Sequence, residues 1–141
     1  MRENPKIDAF QGNYRFLSNF WMAPIQVGLL TFASTEHAYQ AAKSLDPDDW
    51  RKIQDQRSAT YAKIAGGKFK LRPDWHEIRV DVMRELTAAK YDQHEDLRAK
   101  LIATKGIELI EGNTWNDTFW GVCCGKGENW LGRILMEYRD R

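Results

Sequence analysis

Glu36, Gln40 and Lys43 stand at i, i+4 and i+7. At about 100° per residue on a helix they fall within a narrow arc of one face. An acid, an amide and an amine in one row could bind a sugar hydroxyl, orient a water and meet a developing charge, the tasks that cleavage of a glycosidic bond requires. The same row could be a solvated helix face, and spacing alone favours that reading because polar rows on helices are common. Ala38, Ala41 and Ala42 say only that this helix packs closely on something, and Tyr39 fits either reading.

Two further stretches mix polar groups with aromatic rings. In Phe16-Leu17-Ser18-Asn19-Phe20-Trp21 a buried amide must find partners or cost a few kcal/mol. Asn19 could bond backbone in a tight turn, or read the edge of a base stacked between rings. The densest mixture is Asn113-Thr114-Trp115-Asn116-Asp117-Thr118-Phe119-Trp120-Gly121. Asp117 there is either a turn residue bonding its own backbone or a carboxylate in an apolar wall, suited to general acid or base work. Glu36 and Asp117 together would supply the two carboxylates of a glycosidase.

Other features carry less chemistry. Gly125-Lys126-Gly127-Glu128-Asn129 resembles a phosphate-cradling loop but lacks the spacing and the ending of an ATPase loop, so a plain turn is the default. His37, His76 and His94 show no metal-ligand pairing and read as surface or capping residues, with no metal site expected. Cys123, beside Val and aromatic residues, reads as buried and inert. Lys63, Lys68, Lys70 and Arg72 could meet phosphate, although a solvated charged face is the simpler reading.

The elements that must position these residues are short. Val27 to Phe32 reads as a strand, and Ser34 or Thr35 caps a helix from Glu36 to about Leu45. Asp46 caps a second helix with Pro47 at its first position, and Trp50 and Ile53 facing the core. Ser58 opens a third through Ile64, with Gly66-Gly67 expected to stop it in the left-handed conformation. Pro73, Asp74 and Glu77 suggest a capping box for a helix from Trp75 to about Lys90, whose core face holds Ile78, Val82, Met83 and Leu86. Leu97, Leu101 and Ile102 mark a helix ending near Gly106. Ile107 to Ile110 reads as a buried strand, with Phe119 to Val122 as its partner, and Leu131, Ile134, Leu135 and Tyr138 stripe a last helix.

The 141 residues fit one domain, spanning 1–141, of α+β class with helices dominant and a few short strands. Twenty-one Lys and Arg against twenty Asp and Glu leave a formal charge of +1, so no strong field draws the whole protein onto nucleic acid or membrane. Two adjacent cysteines make no disulfide framework, and cytoplasm fits best. No apolar run could span a bilayer, and Met-Arg-Glu-Asn-Pro at the start has no apolar signal region, so a soluble, unprocessed protein is expected.

Taken together, these stretches resemble the NADAR, or YbiA-like, family. The resemblance starts at Phe16-Leu17-Ser18-Asn19-Phe20 and continues through Phe32, Ser34, Thr35, Glu36-His37, Tyr39-Gln40 and Lys43. It goes on through Arg72-Pro73-Asp74-Trp75, Met83 and Leu97, and ends with Asn113 to Gly121, Gly127, Asn129, Leu131-Gly132, Leu135-Met136 and Arg139. Cys123-Cys124 departs from it, standing where many relatives are glycine-rich.

The resemblance implies a helix-rich α+β fold and an N-glycosidase, acting on ribosylamino-pyrimidine phosphates of riboflavin synthesis or on ADP-ribose attached to guanine. It implies Glu36, Lys43 and Asp117 as catalytic residues, and Ser18, Asn19, Phe20, Gln40, Trp75, Trp115 and Trp120 as the substrate-binding set. No metal and no redox cofactor are implied. The partner would be a small nucleotide sugar or ADP-ribosylated nucleic acid. Two other classes compete with this reading: a module that binds ADP-ribose without hydrolysing it, and an interaction protein with an exposed apolar patch and no pocket.

Overall fold

In the computed structural model, which describes residues 4–141, short elements follow one another with brief connections. Strand β1 (Lys6–Ile7) and a 3₁₀ helix (Gly12–Leu17) come first, then β2 (Met22–Val27) and β3 (Leu30–Ser34). Four helices follow: α1 (Thr35–Ala42), α2 (Pro47–Gln54), α3 (Ala59–Gly66) and α4 (Trp75–Gln93). The chain closes with α5 (Glu95–Ile102), β4 (Glu108–Leu109), β5 (Gly112–Asn113), β6 (Val122–Cys123) and α6 (Trp130–Arg139). These form two compact units: Asn19–His94, and the residues up to Ser18 with Glu95–Arg141. The expectation about a signal region falls partly on Met1–Glu3, outside the described residues. Among those described, no helix is long and apolar enough to cross a membrane.

In the unit Asn19–His94, β2 and β3 make an antiparallel hairpin with Val27 opposite Leu30, so Gly28 and Leu29 form a two-residue turn. The apolar run from Val27 to Phe32 is therefore not one strand. Gly28 takes a φ of +61°, which glycine alone adopts cheaply, and the reversal there puts Leu29 fully into solvent. Ser34 ends the hairpin and caps α1 by accepting the N–H of His37. Asp46 caps α2 with Pro47 at its first position, and Ser58 caps α3 through the N–H of Tyr61. Ile53 is buried as expected, while Trp50 is half-buried and donates to the Ser44 carbonyl at 2.8 Å.

Two expectations fail here. Asp74 does not cap α4; its carboxylate takes both arms of the Arg72 guanidinium at 2.7 and 3.1 Å, a charge-assisted fork that outcompetes a backbone N–H. Gly66 and Gly67 do not stop α3 in the left-handed region, since Gly67 sits at φ −64° and neither is among the residues with positive φ. The buried face of α4 is carried by Trp75, Met83, Leu86, Thr87, Lys90 and Tyr91, with Ile78 and Val82 only half-buried.

In the other unit β1 pairs in parallel with β4, Ile7 opposite Leu109. Gly106 at φ +86° turns the chain after α5, close to where a stop was expected, although Ile102 is largely exposed. Arg139 of α6 donates to the Thr104 and Ile107 carbonyls at 3.0 and 2.6 Å, tying α6 to the turn that follows α5. The expected pairing of Phe119–Val122 with Ile107–Ile110 does not form; β6 pairs instead with β5. Asn129 explains this, since its amide donates to the Leu109 carbonyl and its Oδ1 accepts the Glu111 N–H at 2.9 Å each, occupying backbone groups around β4. Leu131, Ile134, Leu135 and Tyr138 are buried as the stripe predicts.

Candidate active site

Helix α1 has its polar row on a buried face. Glu36 and Gln40 are 8% and 3% exposed, so the solvated-face reading of that row is wrong for two of its members. One turn of helix sets Gln40 Nε2 against Glu36 Oε1 at 2.7 Å. Lys43 closes the row as the C-terminal cap of α1, with its ammonium 5.5 Å from the centre of the Tyr39 ring. Tyr39 in turn stacks on Trp75, centroids 5.2 Å apart and planes at 30°.

The ammonium of Lys43 is held below the usual lysine range. Burial is the main cause and the nearby Lys63 charge adds to it, while the Glu36 carboxylate works in the opposite direction. A larger share of Lys43 is therefore neutral amine than on an open surface. Lys63 belongs to α3, and its ammonium lies 5.9 Å from the centre of the Phe20 ring. The basic segment that sequence spacing assigned to solvent thus sends one member toward the row, while Arg72 is spent on Asp74.

The start of α1 is held by a buried strut. His37 is fully buried, not a surface residue: its Nε2 lies 2.8 Å from the Gln56 carbonyl and its Nδ1 2.6 Å from Ser34 Oγ. A carbonyl can only accept, so Nε2 carries a proton and donates to it, while Nδ1 faces the Ser34 hydroxyl oxygen. That oxygen also takes the His37 backbone N–H at 3.1 Å. The Asn19 carbonyl accepts the Glu36 N–H at 3.1 Å, and the Asn19 amide reaches Met83 Sδ at 3.4 Å, so Asn19 ties the segment before β2 to both α1 and α4. The Arg72 N–H donates to the Lys43 carbonyl at 2.8 Å, anchoring the loop that leads to Trp75.

In the unit Asn19–His94 the structure thus gathers Glu36, Gln40, Lys43, Asn19, Phe20 and Trp75. A cavity of about 310 Å³ in the same unit, lined by Asp55, Gln56, Arg57 and Tyr61, includes none of them. The remaining predicted residues belong to the other unit. Ser18 ends the 3₁₀ helix and accepts from Arg15 at 3.2 Å. Asp117 is a turn residue: its Oδ1 takes the Phe119 and Trp120 N–H groups at 3.2 and 2.9 Å, leaving Oδ2 for any chemistry. Asn113 builds the preceding turn with the N–H groups of Trp115 and Asp117. Trp120 meets Phe119 edge to face at 4.8 Å, and Trp115 is 55% exposed.

The glycine-rich loop behaves as a plain turn, with Gly125 and Gly127 at φ +77° and +152° and Cys123 bridged to Lys126. Cys123 is buried and Cys124 exposed, their sulfurs 3.8 Å apart. Sequence reading named Tyr39, Lys63 and Gly66 but assigned none of them to the site. Tyr39 had a usable signal, since it lies three residues from Glu36 and four from Lys43 on one helix. Gly66 read only as a helix stop.

The model of the NADAR domain matches residues 8–141. The chain is 39% identical over 134 residues to the N-glycosidase YbiA of Escherichia coli (strain K12), covering 92% of this chain and 82% of that protein. It is 38% identical over 137 residues to a riboflavin biosynthesis protein of Vibrio vulnificus (strain YJ016), covering 91% of this chain and 35% of that protein. The NMR structure of the E. coli protein YbiA superposes with a TM-score of 0.87 at 36% identity, covering 99% of this chain and 86% of that one.

Proposed function

Because this chain belongs to the NADAR domain family and is an N-glycosidase, we propose that it hydrolyses the bond between a ribose, present as ribose phosphate or ADP-ribose, and a nucleobase-like group. The substrates meant are ribosylamino-pyrimidine phosphates and ADP-ribosyl-guanine. The family model runs through both units, which supports treating 1–141 as one functional domain. The observation that carries the reading is the buried Glu36 carboxylate, held by Gln40 at 2.7 Å, with the desolvated Lys43 amine on the same helix face. The reading asks for no metal and no redox cofactor, and takes the cytoplasm as the place of action.

In a hydrolysis of this kind water adds to the anomeric carbon, the C–N bond breaks, and its electron pair leaves with the base nitrogen, which gains a proton. Two routes are compatible with the site, the first through Glu36. As a carboxylate it takes a proton from the attacking water and opposes the positive charge developing on the sugar. In the other route the sugar ring opens with C1 held as an imine to the base nitrogen, the Lys43 amine adds to C1, the base departs with a proton, and water hydrolyses the resulting Lys43 imine to free sugar and free amine. Asp117, through Oδ2, is the proposed second acid. Ser18, Asn19, Phe20, Gln40, Trp75, Trp115 and Trp120 are the proposed substrate contacts.

Incubation with ribosylamino-pyrimidine phosphates and with ADP-ribosylated guanine DNA, followed by chromatography of the released base, tests the reading. Release from at least one substrate, lost in Lys43→Ala, is expected. No release from either would refute the proposed substrates, and full rates in both Lys43→Ala and Glu36→Gln would refute the site.

A further inference from the structure

Gly66 lies inside the last turn of α3, and its backbone is not in the left-handed region. Any residue could adopt that conformation, and glycine weakens a helix relative to alanine. Its presence therefore calls for a reason other than backbone geometry.

A Cβ built on Gly66 would run into Gln40: its three nearest atoms are Oε1, Cβ at 2.7 Å and Cδ at 2.8 Å, all of that one side chain. Such approaches are closer than real Cβ contacts. The Gln40 side chain thus occupies the space a Cβ at position 66 would need, while its Nε2 donates to Glu36. The amide cannot turn over, because Oε1 would then face a carboxylate oxygen and both are acceptors. Oε1 itself is buried without a hydrogen-bond partner among the described residues. A buried acceptor left unserved is costly, so something holds the amide this way round.

We propose that Gly66 is a positioning residue for the reaction: its missing side chain lets Gln40 lie against α3, and so keeps the amide on the Glu36 carboxylate. The inference rests on the reading of Glu36 as a reacting carboxylate and adds a residue that touches no substrate. A methyl group at position 66 pushes the amide aside, Glu36 loses that donor, and the carboxylate shifts.

Gly66→Ala is compared with Gly67→Ala, whose new Cβ would meet only the Ile64 and Lys63 carbonyls at an ordinary 3.5 Å. Expected is a fall in kcat of about 10- to 100-fold in Gly66→Ala, with KM changed far less, and no fall in Gly67→Ala. The acidic limb of the pH–rate profile moves to higher pH in Gly66→Ala alone, since a carboxylate that loses a donor holds its proton more tightly.

The decisive comparison uses Gln40→Gly, which removes all three clashing atoms. Adding Gly66→Ala to it changes kcat by less than about twofold if the glycine acts through Gln40. An equal fall in both backgrounds overturns the proposal, as does an unchanged rate and profile in Gly66→Ala. Unfolding in both backgrounds also overturns it, whereas unfolding cured by Gln40→Gly supports it. A readout without substrate separates this inference from the proposed function. The Gln40 Nε2 proton signals, assigned by their loss in Gln40→Gly, shift in Gly66→Ala and stay in place in Gly67→Ala. If they stay in both, the inference fails whatever the enzyme hydrolyses.

Discussion

Replacing Lys90 by methionine makes the chain more stable, by an amount that depends on pH. Lys90 sits in the buried face of α4, 2% exposed, with its ammonium 5.1 Å from the centre of the Tyr91 ring. Burial pushes its pKa down from 10.5 to about 7. Between these values the unfolded chain carries a proton that the folded chain lacks, so stability rises with pH at up to about 1.4 kcal/mol per pH unit. Below about pH 7 both states carry the proton, the slope vanishes and the burial cost is fully present. Over the whole interval that cost amounts to at most about 5 kcal/mol, an upper bound because neighbours relax around a buried charge. Methionine fills a similar volume without the charge. Urea denaturation of both proteins at half-unit steps from pH 6 to pH 10 is the assay. The advantage of Lys90→Met should be largest at pH 6 and shrink steadily above pH 7. Two stability curves running parallel between pH 7 and pH 10 would refute the reasoning, since the ammonium would then not be desolvated.

Glu36→Gln lowers kcat by about 10²- to 10⁴-fold in steady-state assays of base release, the range expected of a positioned acid or base. If neutral Lys43 is required, kcat/KM rises with pH through a limb below the ordinary lysine range. That limb moves up in Lys63→Ala, which removes a repelling charge, and down in Glu36→Gln, which removes an attracting one. Sodium borohydride during turnover traps a sugar adduct on Lys43, read as a mass increase on its peptide, if the imine route operates; its absence leaves the carboxylate route. Ser34→Ala removes both the cap of α1 and the partner of His37. It costs about 1–3 kcal/mol, measured as a lower urea midpoint.

Helix starts were the most legible part of the fold, because a cap is a local contract between one side chain and the next turn. Ser34, Asp46 and Ser58 cap α1, α2 and α3 as their types suggest, and Pro47 stands at the first position of α2. Where a second local partner competed, the rule failed: Asp74 answered Arg72 two residues back instead of its own helix. Strand pairing was less legible. Which strand β6 meets depends on a side chain some 18 to 20 residues from its backbone partners, Asn129, and no spacing rule reports that.

The sequence by itself determined that Glu36, Gln40 and Lys43 share one helix face, because helical periodicity needs no neighbours. Family resemblance added that this face is where chemistry belongs. Whether the face met water or protein was decided only by tertiary structure, when α3 packed on α1 and the missing Cβ of Gly66 made room for the Gln40 amide. Tertiary structure also buried His37, which the sequence had left as a surface or capping residue. It also brought Lys63 near Lys43 and turned a solvated lysine into a desolvated one. Burial and charge proximity are sums over neighbours distant in sequence, and the order of residues along the chain does not contain those distances.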